Sequence, residues 1–228
     1  MHRFWRQGFE GTSIAELTDA MGIRPPSLYA AFGDKRELFR QALDRYLGGA
    51  GSIAGAIAGA ATARAAAQDL LTAAALGDTG AETPPGCLLA SSIVSCSTSA
   101  ADIREEVAAI RREIEGALRL RIERDIEEGV LPSATDGEML AGYVFAIVQG
   151  MSTLAKDGAS RDKLLRIVAG AMVAWPVADG AGRWVEVPHR PRHRPVQGYV
   201  RSKRSAFITL VQAAAKSRTN FGWASAQA

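Results

Sequence analysis

Apolar residues recur at three- and four-residue spacing along most of the first three quarters of the chain, which predicts helices rather than strands. Ile14, Leu17 and Met21 fall on one helical face. Ser13 stands just before them with Glu16 three residues on, the signature of a capping box. Gly22 suits the left-handed position that ends a helix, and apolar Ile23 plugs the turn. Pro25 and Pro26 fit only the first turn of a second helix. That helix is short, points Leu28 and Phe32 inward, and stops at Gly33. Asp34 with Glu37 forms a second capping box, opening a helix to Leu47. Leu38, Phe39, Ala42, Leu43 and Tyr46 form its inward stripe. Residues 1–8 read as the end of a helix carrying Phe4 and Trp5 and stopped by Gly8.

Gly48, Gly49 and Gly51 then loosen the chain and set a domain boundary after residue 48. Ala60 to Leu76 reads as helix and Gly77 to Gly86 as a loop by its turn chemistry. Cys87 to Cys96 reads as a short apolar helix. Ala101 to Gly129 is a long amphipathic one, with Ile103, Val107, Ile110, Ile114, Leu118, Ile122 and Ile126 as its buried stripe. Its other faces carry Arg and Glu at pairing distances. Glu138 to Lys156 and Leu164 to Trp175 are apolar on most faces and must be buried, either in a core or against a partner. From Val177 onward the pattern fails. Pro188, Pro191 and Pro195 alternate with Arg190, Arg192 and Arg194, a composition that builds no packed core. Residues 177–228 are either a disordered or unfitted extension, or a basic arm that touches DNA non-specifically.

Composition narrows the classes. At 47% hydrophobic and 22% charged, the chain is ordinary for a globular protein of one good core or two small ones. No run supplies the roughly 18 strongly apolar residues a membrane helix needs, so no membrane partner is expected. Two cysteines do not suggest a disulfide scaffold, and a reducing cytoplasm is the expected compartment. On one straight helix Cys87 and Cys96 would lie about 13.5 Å apart, beyond disulfide reach. They read as small apolar core residues, or as lining of a ligand cavity. No metal-ligand spacing, phosphate loop or nucleophile elbow is present, so neither cofactor nor enzyme activity is expected. The net charge of +3 is uneven: residues 49–176 carry more Asp and Glu than Lys and Arg, and the last fifty residues hold nine Arg and Lys against only Asp179 and Glu186. The short-helix segment is nearly balanced, so any DNA affinity rests on placed charges.

Two short helices around a glycine turn are the layout of a helix-turn-helix DNA reader. Phe9, Gly11, Thr12-Ser13, Ile14, Ala15, Leu17, Met21-Gly22-Ile23, Pro26-Ser27-Leu28-Tyr29, Phe32 and Lys35-Leu38 together resemble the DNA-binding domain of TetR-family transcriptional repressors. The resemblance is strong to residue 47, weaker to about 176 and absent beyond. It implies an all-α fold: an N-terminal three-helix helix-turn-helix domain over 1–48, and a helical ligand-binding and dimerisation domain over 49–176. Family members begin two or three turns earlier, so it also implies a first helix shortened at its start. The implied function is a homodimer on double-stranded DNA with a palindromic operator, released by a small effector.

The second short helix would turn Pro25, Pro26, Ser27 and Tyr29 to DNA. Tyr29 would lie along the backbone, or else be a half-buried core tyrosine. Arg24 could reach a base or the backbone. Thr12 and Ser13, at a helix start, suit a phosphate. Lys35 would take another, or remain a solvated lysine. Leu70, Leu71, Cys87, Leu89, Ile93, Leu118 and Phe145 would line the effector pocket, which their character makes a site for an apolar or aromatic molecule. The rival function is a helical small-molecule-binding dimer that has lost DNA binding with its first turns.

Overall fold

The computed structural model describes residues 1–48, 52–92 and 100–177, and its described residues form ten helices and no strand. The first four are α1 (His2–Gln7), α2 (Ile14–Met21), α3 (Pro25–Phe32) and α4 (Lys35–Leu47). Aromatic packing holds them together. Phe39 of α4 meets Phe4 edge-on at 5.1 Å between centroids and Phe9 at 5.3 Å. Leu17 and Leu28 seal α2 and α3 onto this cluster, with Ile14, Ile23 and Phe32 half-buried around it. Met21, placed on the inward stripe by spacing, is instead exposed: it lies in the last turn of α2, where the chain swings away through Gly22.

The remaining helices are α5 (Ser52–Ala58), α6 (Ala63–Asp78), α7 (Leu88–Ser91), α8 (Ala101–Glu127), α9 (Gly137–Lys156) and α10 (Arg161–Val173). α6, α8 and α9 pack against one another, α5 lies on α8 and α10 on α6. The expected stripe of α8 is buried at Ile103, Val107, Ile114, Leu118 and Ile122 and half-buried at Ile110 and Ile126. Three boundaries differ from expectation. α5 forms although the glycines around it predict loose chain. α6 begins only at Ala63, where Thr62 caps it by accepting the Ala65 N–H, and runs on through Gly77 to Asp78. α7 is a four-residue helix, with Cys87 as its cap rather than its first residue. Cys96 and Ile93 lie outside the described residues, as does the extension beyond Val177.

α9 corrects a further expectation: by length and composition, at mean hydropathy 1.2, it could cross a membrane. Leu140, Val144, Val148 and Met151 bury one of its faces against the core.

A charged knot ties the bundle internally. Arg121 and Asp125 of α8 are both buried and pair at 2.5 Å. Arg121 donates to the Ala60 and Ala61 carbonyls, and Asp125 accepts the Ala63 N–H at 2.6 Å. The break between α5 and α6 is thereby fastened to α8, with its backbone groups paired to two side chains of one helix.

Candidate nucleic-acid interface

The segment that sets up α2 is tightly determined. Gly11 can hold no side chain, since a Cβ there would stand 2.5 Å from the Gln7 carbonyl oxygen. Thr12 is fully buried, and its hydroxyl donates to the Gly8 carbonyl at 2.8 Å. The Ser13 side chain accepts the Glu16 N–H at 3.1 Å, and Glu16 in return accepts the Ser13 N–H at 2.8 Å. These bonds hold the Glu16 carboxyl below the usual carboxylate range, with the Ser13 N–H first among the causes. The Thr12 side chain is spent inside the fold and cannot reach a phosphate, whereas Ser13 stays exposed at the start of α2 with its hydroxyl shared with Glu16.

α3 follows through Gly22, whose φ of 67° is left-handed. Arg24 stands at its N-cap and makes no side-chain cap bond, while Pro25 and Pro26 form the first turn. Leu28 alone of this helix is fully buried. Arg24, Pro25, Pro26, Ser27, Ala30 and Ala31 are exposed, and Tyr29 is 48% exposed. Tyr29 is thus a surface residue, not a core one. The outward face of α3 offers one guanidinium and two hydroxyls on a firmly seated helix.

Lys35 opens α4. Its ammonium lies 4.5 Å from the centre of the Phe9 ring, a cation–π contact, and burial lowers its pKa against the opposing pull of Glu10. A shallow groove of about 430 Å³ brings Tyr29 and Lys35 together with Phe9, Glu10 and Arg36. So Arg24, Pro25, Pro26, Ser27 and Tyr29 are all exposed on α3, and of these Tyr29 shares a groove with Lys35. Phe9 was not singled out as a site residue, although an aromatic that precedes the helix and underlies Lys35 positions that cation.

A charged strap also joins α4 to α8. Arg36 donates to Asp102 at 2.8 Å, and Arg40 grips both carboxylate oxygens of Glu106. α4 is thus strapped to the first turns of α8. Beside this strap Trp5 donates to the Gly86 carbonyl at 2.5 Å, and Tyr46 donates to the Cys87 sulfur at 3.2 Å. Burial pushes both the Cys87 thiol and the Tyr46 phenol up. Leu70, Leu71, Leu89 and Leu118 are buried core residues, while Cys87 and Phe145 are half-buried against that core. None of these lines either of the two concave surfaces described here.

Residues 1–42 match the model for bacterial regulatory proteins of the tetR family, and residues 64–170 the tetracyclin repressor-like C-terminal domain. The HTH-type transcriptional repressor ComR of Escherichia coli (strain K12) is 33% identical over 178 residues, covering 77% of this chain and 85% of ComR. Among solved structures, a cysteine mutant of the TetR family regulator CifR complexed with 26 bp double-strand operator DNA superposes with a TM-score of 0.71. It is 41% identical and covers 77% of this chain and 92% of CifR. A putative TetR regulator from Rhodococcus sp. RHA1 is 39% identical, with a TM-score of 0.56 over 77% of this chain and 94% of that one. With its reader helices built and exposed as described, the chain belongs to the TetR family: it is a DNA-binding transcriptional regulator and not an enzyme.

Proposed function

We propose that the protein is a repressor that binds a two-fold symmetric operator as a homodimer and is released by a small molecule. The reading divides the chain into a reader over residues 1–48 and an effector and dimerisation body over 49–176. The observation that carries it is the outward face of α3, where Arg24, Ser27 and Tyr29 stand clear of the core that holds the helix in place. Ser27 and Arg24 are the candidates for base edges, and Tyr29 and Lys35 for phosphates. The solved structure of a CifR mutant is complexed with double-strand operator DNA, which supports this reading.

Dimerisation is supported by α9 and α10. Met139 is 54% and Val173 57% exposed, and Tyr143 stands out on α9 as well, more apolar surface than a lone helix pair leaves bare without a use. A second copy there would set two α3 helices about one turn of DNA, ~34–36 Å, or a multiple apart. The body's apolar core, around Leu71, Leu89 and Leu118, favours an apolar or aromatic effector that acts in the cytoplasm by preferring the conformation with misplaced readers.

A footprint of the full chain on its own upstream DNA at low salt tests the reading. A protected site with two-fold symmetry is expected. If no site is protected, and none emerges from random-sequence selection, the DNA reading fails and a ligand-binding helical dimer replaces it.

A further inference from the structure

We propose that the groove between the end of α6 and the start of α10 is a second ligand site, and that it takes a small zwitterion of the amino-acid type. The groove is shallow, measures about 410 Å³ and is lined by Asp78, Thr79, Ala155, Gly158, Ser160 and Arg161 among others; none of the residues expected at the effector site lines it.

Asp78 is its unusual member. It is only 3% exposed, and its Oδ2 has no hydrogen-bond partner among the described residues. A buried carboxylate oxygen left without a donor is costly, and such orphans in native folds call for a use. On the other side stands positive potential. Arg161 is fixed next to Asp78 by donating to the hydroxyl of Thr79 at 3.2 Å and to its carbonyl at 2.8 Å. It also opens the thirteen-residue α10, whose first turn of amides is capped by Ser160. Lys156 at the end of α9 is near enough to bear on the Asp78 charge.

These groups select by exclusion. A simple cation would meet Arg161 and Lys156, and a simple anion would meet Asp78. A molecule with both charges satisfies both halves: its ammonium donates to Asp78, and its carboxylate accepts from Arg161 and the first amides of α10.

The groove also has a short path to the reader helices. The Gly86 N–H donates to the Asp78 carbonyl at 2.9 Å, and the Gly86 carbonyl accepts the Trp5 indole. Gly86 cannot yield to a larger residue, because a Cβ there would stand 2.8 Å from the Lys156 side chain and 3.0 Å from the Ser152 carbonyl. An occupant of the groove therefore presses on a loop that touches α1. That consequence for DNA rests on the repressor reading; the binding itself does not.

Calorimetry on the full chain without DNA separates the two. Glycine, β-alanine and 4-aminobutyrate would be titrated as zwitterions of increasing charge separation, with methylamine and acetate as single-charge probes. One zwitterion is expected to bind one per chain at a Kd of about 1 mM or tighter, and neither single-charge probe to bind in that range. Asp78→Asn and Arg161→Gln should each weaken it at least about tenfold. The proposal is overturned if no zwitterion binds below about 10 mM, if methylamine or acetate binds as well, or if either folded variant binds like the parent. Should Asp78→Asn lack a cooperative melt, the exposed Arg161→Gln decides alone. A footprint with and without the bound zwitterion then reads the DNA arm, whose failure leaves the calorimetry standing.

Discussion

Lys35 shows what one residue can contribute to an interface that is only slightly basic. Its ammonium is drawn over Phe9 and partly out of water, so a phosphate arriving there meets a cation already held in place. Lys35→Ala should weaken binding to every DNA sequence alike and lower the salt slope of log K by about one, as measured by fluorescence anisotropy over a salt series. A loss confined to the preferred site would refute the phosphate role. Asp78 makes the opposite point, a charge kept where it is not wanted. Burial raises its pKa from 3.8 to about 7, against the pull of Lys156. Between these values the folded chain holds a proton that the unfolded chain has lost, so stability falls as pH rises through that window and stays low above it. Asp78→Asn should therefore be more stable than the parent at about pH 8, by up to about 4 kcal/mol, and no different near pH 4. Urea melts at both values check this; an equal difference at both would show that ionisation is not the cause. Neither residue's state was legible in the sequence. The capping pair Ser13 and Glu16 was legible, but not the burial of Thr12 just before it, which depends on the Gly8 carbonyl four residues back.

Among the elements, those with strong periodicity matched expectation to within a few residues, because one apolar stripe leaves a helix a single way to face the core. α8 is the clearest case. Elements set by long-range polar partners did not. The start of α6 depends on Asp125, sixty-two residues away, and no local pattern distinguishes that aspartate from its exposed neighbours on the same helix. Asp125→Ala would strip Arg121 of its counter-charge and the Ala63 amide of its acceptor, inside the bundle. The expected cost is ~3–5 kcal/mol in denaturant melts, and replacing both partners by Leu and Met should cost much less. If the double variant were as unstable as the single, the knot would owe its effect to shape rather than to charge.

At the scale of the whole molecule, the reader helices and the bundle meet through a hydrophobic cluster, the hydrogen bonds of Trp5 and Tyr46, and an exposed charged strap. The Arg40 guanidinium is held more firmly charged by Glu106, and Asp102 is held below its usual range by Arg36. Exposed pairs of this kind add little to stability, so their effect should appear in orientation instead. Glu106→Arg should leave the melt nearly unchanged yet weaken operator binding, and adding Arg40→Glu should restore it. Failure of the second change to rescue the first would remove the strap from the path between body and DNA. If the rescue holds, the strap has a meaning for how such regulators recombine. A reader grafted here from a relative would inherit an apolar underside that fits nearly any helical bundle, since packing tolerates substitution when volume is kept. It would also need arginines spaced to meet Asp102 and Glu106. The four positions act as a lock-and-key for modular exchange: chimeras that transplant both halves should regulate, and those that transplant one should fold, bind effector and fail to answer it.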